Sequence, residues 1–552
     1  MKNNKMTKIA LGMILLTLVA SCATEGNSNA SYSGTVSGFI TDEDAKVKVV
    51  DNSTLYSDIN LSYQGSTLSS TTYNLANTTV DITLTEDSLI VLTGSTNEQV
   101  KINTAGFTLL LTLDNVNINN ALSITKAGTT YLTLVGDNKV NADSSLNEAI
   151  SVKGDLILNG SGSLVINTYY DGLVVKNHLF FLEGTVDITI EKDTTVSDKG
   201  TAIKVTNGYV QDGGKLVING NNSTPPYESR GIKVKGDEST GTGEGYVIIN
   251  GGEIEIITYG KAISAGWDID EDATTVETTD DPSPDVYINN GLITITTLSD
   301  VREDTATFDG VSPEGIEGKN NVYINGGKLV INTTDDAINA GNMITITGGL
   351  IYARSSQNDA IDAGGEENQG ILNITGGTLI ALGTSRPEMG IDCNSDQRFT
   401  YTGGTIVALG GGNNIASSSS TTGFMVQYGA ELTSGQTVAL LDSSNQLLAL
   451  FTLPGNYSAS NLLVASSSLT STGCSIVTGA WIETSDTTFE GMSFSSVTIN
   501  GGTSLSPTLS SGKVYKAGTT TSFGGMRMLD GSQPPLGGKL NFTDFEPPQE
   551  LN

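Results

Sequence analysis

A run of acidic residues returns at short intervals between positions 314 and 392. It reads Glu314-Gly315-Ile316-Glu317-Gly318, then Asp335-Asp336-Ala337-Ile338-Asn339-Ala340. It continues as Asn358-Asp359-Ala360-Ile361-Asp362-Ala363 and Met389-Gly390-Ile391-Asp392-Cys393. If each central Ile plugs a core, the flanking acids face outward together. Like charges that close raise one another's pKa or recruit a cation. Their oxygens are hard donors, which favours Ca2+ over zinc. The candidate ligands are Glu314, Glu317, Asp335, Asp336, Asn339, Asp359, Asp362 and Asp392. The competing reading is a solvated acidic edge whose Asp side chains only cap turns.

Earlier occurrences of the element lack most of the acids. They read Asp171-Gly172-Leu173, Gly200-Thr201-Ala202-Ile203, Arg230-Gly231-Ile232-Lys233 and Lys261-Ala262-Ile263-Ser264. The acidic corner is therefore local to about 309–392, whereas a turn requirement would act on every repeat alike. Acidic runs around Asp268–Asp272, Asp280-Asp281 and Asp300–Asp309 read as solvated inserts. Trp267, Tyr259 and Tyr352, with Arg354, are the candidates for contact with sugar rings. Lys319, Lys328, Arg354 and Arg386 are the cations near enough to serve as a lyase base, though none carries a motif. His178 is the only histidine, which leaves Ser-His-Asp chemistry and His-rich zinc sites almost nothing to work with.

The elements that must position this corner are short strands separated by Gly-Gly. Copies are Val247–Gly252, Val322–Gly327, Ile344–Gly349, Leu372–Gly377 and Phe399–Gly404. A repeat of this kind marks a solenoid. Alternate residues such as Ile324, Leu329 and Ile331 point inward, and Gly-Gly turns the corner. The Asn or Thr before it is placed to hydrogen-bond its equivalent one coil away. The fold expected is all-β: a right-handed parallel β-helix followed by a small C-terminal β region. Its parts are an N-terminal tether and cap over 22–74, the β-helix over 75–425, the β region over 426–500 and an irregular tail over 501–552.

The chain has 552 residues and a net charge of −32, which argues against nucleic acid as a partner. Lys2, Lys5 and Lys8 precede an apolar stretch from Ile9 to Ala20, and Leu18-Val19-Ala20-Ser21-Cys22 has the form of a bacterial lipobox. The expectation is a signal peptide over 1–21, lipidation at Cys22, and a lipoprotein of the outer membrane or cell surface, attached by its lipid only. Cys393 and Cys474 imply no disulfide framework.

Glu-Gly-Ile-Glu-Gly, then a strand with Asn-Gly-Gly, then Asp-Asp-Ala-Ile-Asn-Ala resembles the bacterial family of secreted carbohydrate-binding domain-containing proteins, related in fold to pectate and pectin lyases. The resemblance extends over roughly 75–480; the family's usual Asp-Asp-Gly-Ile has Ala337 and Ala360 in place of Gly. It implies a right-handed parallel β-helix that binds calcium and holds plant-cell-wall polysaccharide, especially acidic pectic sugars. It also implies calcium ligands at Glu314, Glu317, Asp335, Asp336, Asp359 and Asp392. The resulting reading is a non-catalytic, monomeric glycan-binding lipoprotein for uronate-containing polysaccharide. A calcium-dependent polysaccharide lyase and a β-helix surface adhesin are the alternatives.

Overall fold

The protein is described from a computed structural model covering residues 30–36, 50–76, 79–191, 200–220, 228–235, 245–266, 284–302, 310–364, 370–417, 419–444, 447–455, 457–469, 474–484, 487–488, 493–494, 497–505 and 514–517. Cys22, Trp267, Asp268–Asp272, Asp280, Asp281, Glu303, Asp304 and Asp309 lie outside the described residues.

Each coil contributes three short strands, and successive coils pair them in parallel. One face is a 12-stranded sheet that starts at Val80–Thr83 and ends at Ile391–Asp392. The other two faces fuse at the C-terminal end, where Ile371–Leu382 pairs with both Met343–Ile346 and Leu350–Ser355. The result is a parallel β-helix.

Alternation sets the interior. In Lys328–Thr333 the inward residues Leu329 and Ile331 are fully buried. They stack in register on Ile293 and Ile295 on one side and Ile351 and Ala353 on the other. The second glycine of each pair takes the left-handed turn, with φ of +88° at Gly327 and +93° at Gly349, which Gly tolerates and other residues resist. Side chains beside these turns form the ladder that the repeat implied. Asn325 Nδ2 donates to Asn289 Oδ1 at 2.9 Å, and Thr347 Oγ1 donates to Asn325 Oδ1 at 2.9 Å.

The domain boundaries need correction. The helix sheets begin at Ser70–Asn74, ahead of residue 75, and the last coil strand ends at Gly410. Ser458–Ser466 then pairs antiparallel with both Phe399–Gly410 and Phe424–Thr433. A five-stranded antiparallel sheet follows, and Ala30–Val36 from the supposed tether is one of its strands, paired with Val497–Leu505. The supposed irregular tail supplies Val514–Ala517, paired parallel with Phe424–Thr433. Edge strands demand partners for their backbone groups, and segments far apart in sequence supply them.

Residues 50–65 also belong to the folded body. They run along the outside of the coils toward the N-terminal end. Asn289 Nδ2 donates to Asn52 Oδ1 at 2.8 Å, and Tyr131 OH donates to the Asn60 carbonyl at 2.7 Å. Leu55, Tyr56 and Ile59 pack on an outer apolar stripe that includes Phe180, Tyr246 and Ile248. Tyr56 meets Phe180 edge-on, with ring centroids 5.3 Å apart. No helix among the described residues is long and apolar enough to cross a membrane.

Candidate metal and glycan site

The acidic element lies on the 12-stranded sheet. Ile263, Ile316, Ile338, Ile361 and Ile391 stack in register, all fully buried, and they anchor the corner as the pattern predicted. In the file beside them Ser264, Glu317, Asn339, Asp362 and Asp392 follow one another. The acids do not face open water. Glu314, Glu317, Asp335 and Asp336 are 4–5% exposed and Asp359 is 6% exposed. The acids flank the inward Ile file as expected but are covered by their neighbours, which overturns the solvated-edge reading for these five.

The structure sorts the eight candidate ligands. Asp336, Asp359 and Asp362 each bring a carboxylate oxygen within 4.8 Å of the others. Neighbours orient them: the Asp359 amide donates to Asp336 Oδ1 at 3.0 Å, and the Met389 amide donates to Asp359 Oδ1. Asn339 Nδ2 links Glu314 Oε1, at 3.1 Å, to Asp336 Oδ2, at 3.4 Å. Asp335 is committed elsewhere, accepting from Ser312 Oγ at 2.5 Å and Asn358 Nδ2 at 2.7 Å. Glu317 is held by Lys261 at 2.8 Å and Lys319 at 2.9 Å. Asp392 is half-buried beside Asp362, and its Oδ1 accepts from the Asn394 amide at 2.8 Å.

The electrostatics separate a balanced pair from an unbalanced cluster. Burial raises Glu317, but the ammonium groups of Lys261 and Lys319 outweigh it and hold the carboxyl at about 2. Burial drives Asp336 and Asp359 well above the usual carboxylate range, and the surrounding carboxylates add to it. Asp362 is pushed up to about 8 by burial and then by Asp392. Glu314 is pushed up to about 7 by burial and by Glu317, against the pull of Lys261. The largest charge effects on Asp336 come from carboxylates: Asp362, Asp335, Asp359 and Glu314. Buried carboxylates without counter-charge must protonate or take a cation. Glu314 Oε2 has no hydrogen-bond partner, although Lys261 Nζ lies 3.4 Å away. An oxygen-only set with an orphaned carboxylate oxygen beside it fits a hard divalent cation.

Toward the N-terminal coils the same corner carries basic residues. The file of Glu317 and Asp362 continues in the opposite direction through Ser264 to Lys233 and Lys204. Arg230 is buried and bonds Glu228 with two nitrogens, at 2.8 and 3.2 Å. Lys204 Nζ meets Asp171 Oδ2 at 3.2 Å while remaining 42% exposed.

The remaining candidates are dispersed. Tyr352 is 5% exposed within the apolar cluster beneath the C-terminal strands, so it cannot stack on a sugar. Strand alternation pointed it outward, but residues after 410 cover that face. Arg354 is drawn to the same interface, where Nη2 donates to the Gly455 carbonyl at 3.4 Å. Arg386 Nε donates to the Gly411 carbonyl at 3.2 Å. Tyr259 is half-buried near Ser229, whose hydroxyl accepts its amide at 3.0 Å.

The model of the carbohydrate-binding domain-containing family matches residues 77–363, more than half of the chain. A solved polysaccharide lyase-like protein from C. thermocellum, a gadolinium derivative, is similar at 16% identity and a TM-score of 0.31, over 50% of this chain and 96% of that one. No curated protein matches. The matched segment spans the coils from the strand Val80–Thr83 through the Asp336–Asp359–Asp362 corner, and the chain belongs to the family of carbohydrate-binding domain-containing proteins.

Proposed function

We propose that the protein is a calcium-dependent glycan-binding protein for uronate-containing polysaccharide, pectic glycan above all. The observation that carries this is the cluster of Asp336 and Asp359, both buried, with half-buried Asp362, in which the largest charge effects on Asp336 come from neighbouring carboxylates. These three, with Glu314 beside them, would hold Ca2+, which when bound supplies positive charge to a carboxylated sugar. The neighbouring residues support the same ligand. Lys204, 42% exposed beside Asp171, and Lys233 continue the file and add positive charge along a line parallel to the helix axis. Coils repeat at roughly 4.8 Å, so a polymer laid along the corner meets one residue of this file at every step, basic at one end and acidic at the other.

Binding is favoured over the lyase alternative because three of the four candidate bases, Lys319, Arg354 and Arg386, are held by bonds within the protein. Lys319 pairs with Glu317, and Arg354 and Arg386 bond backbone carbonyls. On this proposal the lipobox at Cys22 anchors a monomer at the bacterial cell surface and the β-helix gathers polysaccharide. The test is titration of the protein with polygalacturonate in calcium and then in chelator, while following unsaturated product. Binding in calcium, lost in chelator and without product, supports the proposal. Product formation makes the protein a lyase, and absence of binding in both conditions favours an adhesin.

A further inference from the structure

A second cleft lies far along the coils from the acidic corner, between the 50–65 segment and the first turns of the helix. Its volume is about 300 Å³, and its walls include Asp58, Gln64, Tyr63, Asp87, Tyr131 and Asp155. This is at the small end of ligand pockets, roughly 300–1,000 Å³, and suits about one or two pyranose rings.

We infer that this cleft is a separate subsite for neutral sugar. Its polar groups are carboxylates, amides and hydroxyls, which pair with sugar hydroxyls by accepting and donating. Its accessible ring is that of half-buried Tyr63, held edge to face against buried Tyr131 with centroids 6.3 Å apart, and an aromatic ring of this kind offers an apolar face to a pyranose. The acceptors are pre-set. Asp155 Oδ1 lies 3.0 Å from His178 Nδ1, and Asp87 accepts from Tyr63 OH at 3.1 Å and from the Thr108 amide at 3.0 Å. The only histidine of the chain thus fixes a cleft carboxylate.

Two features select the ligand class. Among the described residues no Lys or Arg lines the cleft, so a uronate would meet carboxylates with no cation beside them there. Nor do these carboxylates converge as a cation requires. Among the described residues, Asp336, Asp359 and Asp362 form the one group with donor atoms within 4.8 Å of one another. Dispersed acceptors beside aromatic rings match spaced hydroxyls instead of a point charge. The cleft is independent of the calcium reading and extends the family's carbohydrate binding to a second sugar class.

The test is calorimetric titration of the full chain in chelator with neutral hexasaccharides of glucose, xylose, mannose and galactose. Two variants accompany it: Asp155→Asn, and Asp58→Ala at an exposed position where the fold has little to lose. At least one neutral hexasaccharide should bind without calcium, and each variant should weaken it at least fivefold. Asp336→Asn should leave that affinity unchanged while it weakens hexagalacturonate in calcium, so the two sites fail separately. Absence of binding across the neutral panel overturns the inference. Neutral binding indifferent to both cleft variants, or calcium binding that depends on Asp155, also overturns it.

Discussion

Removing calcium should make stability fall as pH rises, and Asp362 sets the size of the effect. Its carboxyl is pushed from 3.8 up to about 8 in the folded protein. Between those values the native state keeps a proton that the unfolded chain has shed. The associated stability is complete below about pH 4 and is lost as pH climbs through about 8. A shift of about four units at roughly 1.4 kcal/mol each gives a ceiling near 6 kcal/mol. Asp362 keeps partial access to solvent and shares its charge with Asp392, so about 2–4 kcal/mol is the expected loss. At roughly 2 °C per kcal/mol for a large domain, the midpoint should drop by about 5 °C between pH 5 and pH 8. Thermal melts in chelator across that range read the drop directly. Asp362→Asn should flatten the slope, and saturating calcium should flatten or invert it, because bound metal replaces the protons. A chelated protein whose midpoint rises from pH 5 to pH 8, or whose slope Asp362→Asn leaves undiminished, would refute this reasoning, since Asp336, Asp359 and Glu314 account only for the slope that remains.

Four further outcomes follow from the same geometry. Asp336→Asn and Asp359→Asn should each weaken calcium at least tenfold by calorimetry, about 1.4 kcal/mol or more. Glu317→Gln should leave calcium affinity within about threefold yet cost roughly 3 kcal/mol in denaturant melts, because Lys261 and Lys319 lose their common partner. Tyr56→Ala, which removes the ring packed on Phe180, should release the 50–65 segment to limited proteolysis at a cost of about 1–3 kcal/mol, with the coils intact. The thiols of Cys393 and Cys474, both buried and pushed up to about 12, should ignore iodoacetamide in the native protein and react in denaturant.

The solenoid was legible because its rules are local. Gly327 and Gly349 mark turns that need positive φ, and alternation in Lys328–Thr333 names the inward residues. The Asn and Thr ladder follows once the coils are stacked. The same local rules misplaced Tyr352, because the cover over its strand comes from residues after 410. They also left the acids in open water, whereas Ser312, Asn358 and the Met389 amide enclose and bond them across coils. The outer segment was hidden for a related reason. Leu55, Tyr56 and Ile59 are too few and too irregularly spaced to announce a partner stripe, and Tyr246 lies 191 residues from Leu55. Lys233 was visible from the start, but only the register between coils shows that it continues the acidic file through Ser264 and Glu317.

The central claim is that a divalent cation at Asp336, Asp359 and Asp362 joins the protein to a carboxylated glycan. Crystals grown with calcium and hexagalacturonate, measured for anomalous scattering, test it most directly. The account predicts a calcium peak bonded to oxygens of all three aspartates, with a uronate carboxylate in contact with it. A peak absent from this corner, or a hexagalacturonate bound away from it, would contradict the account.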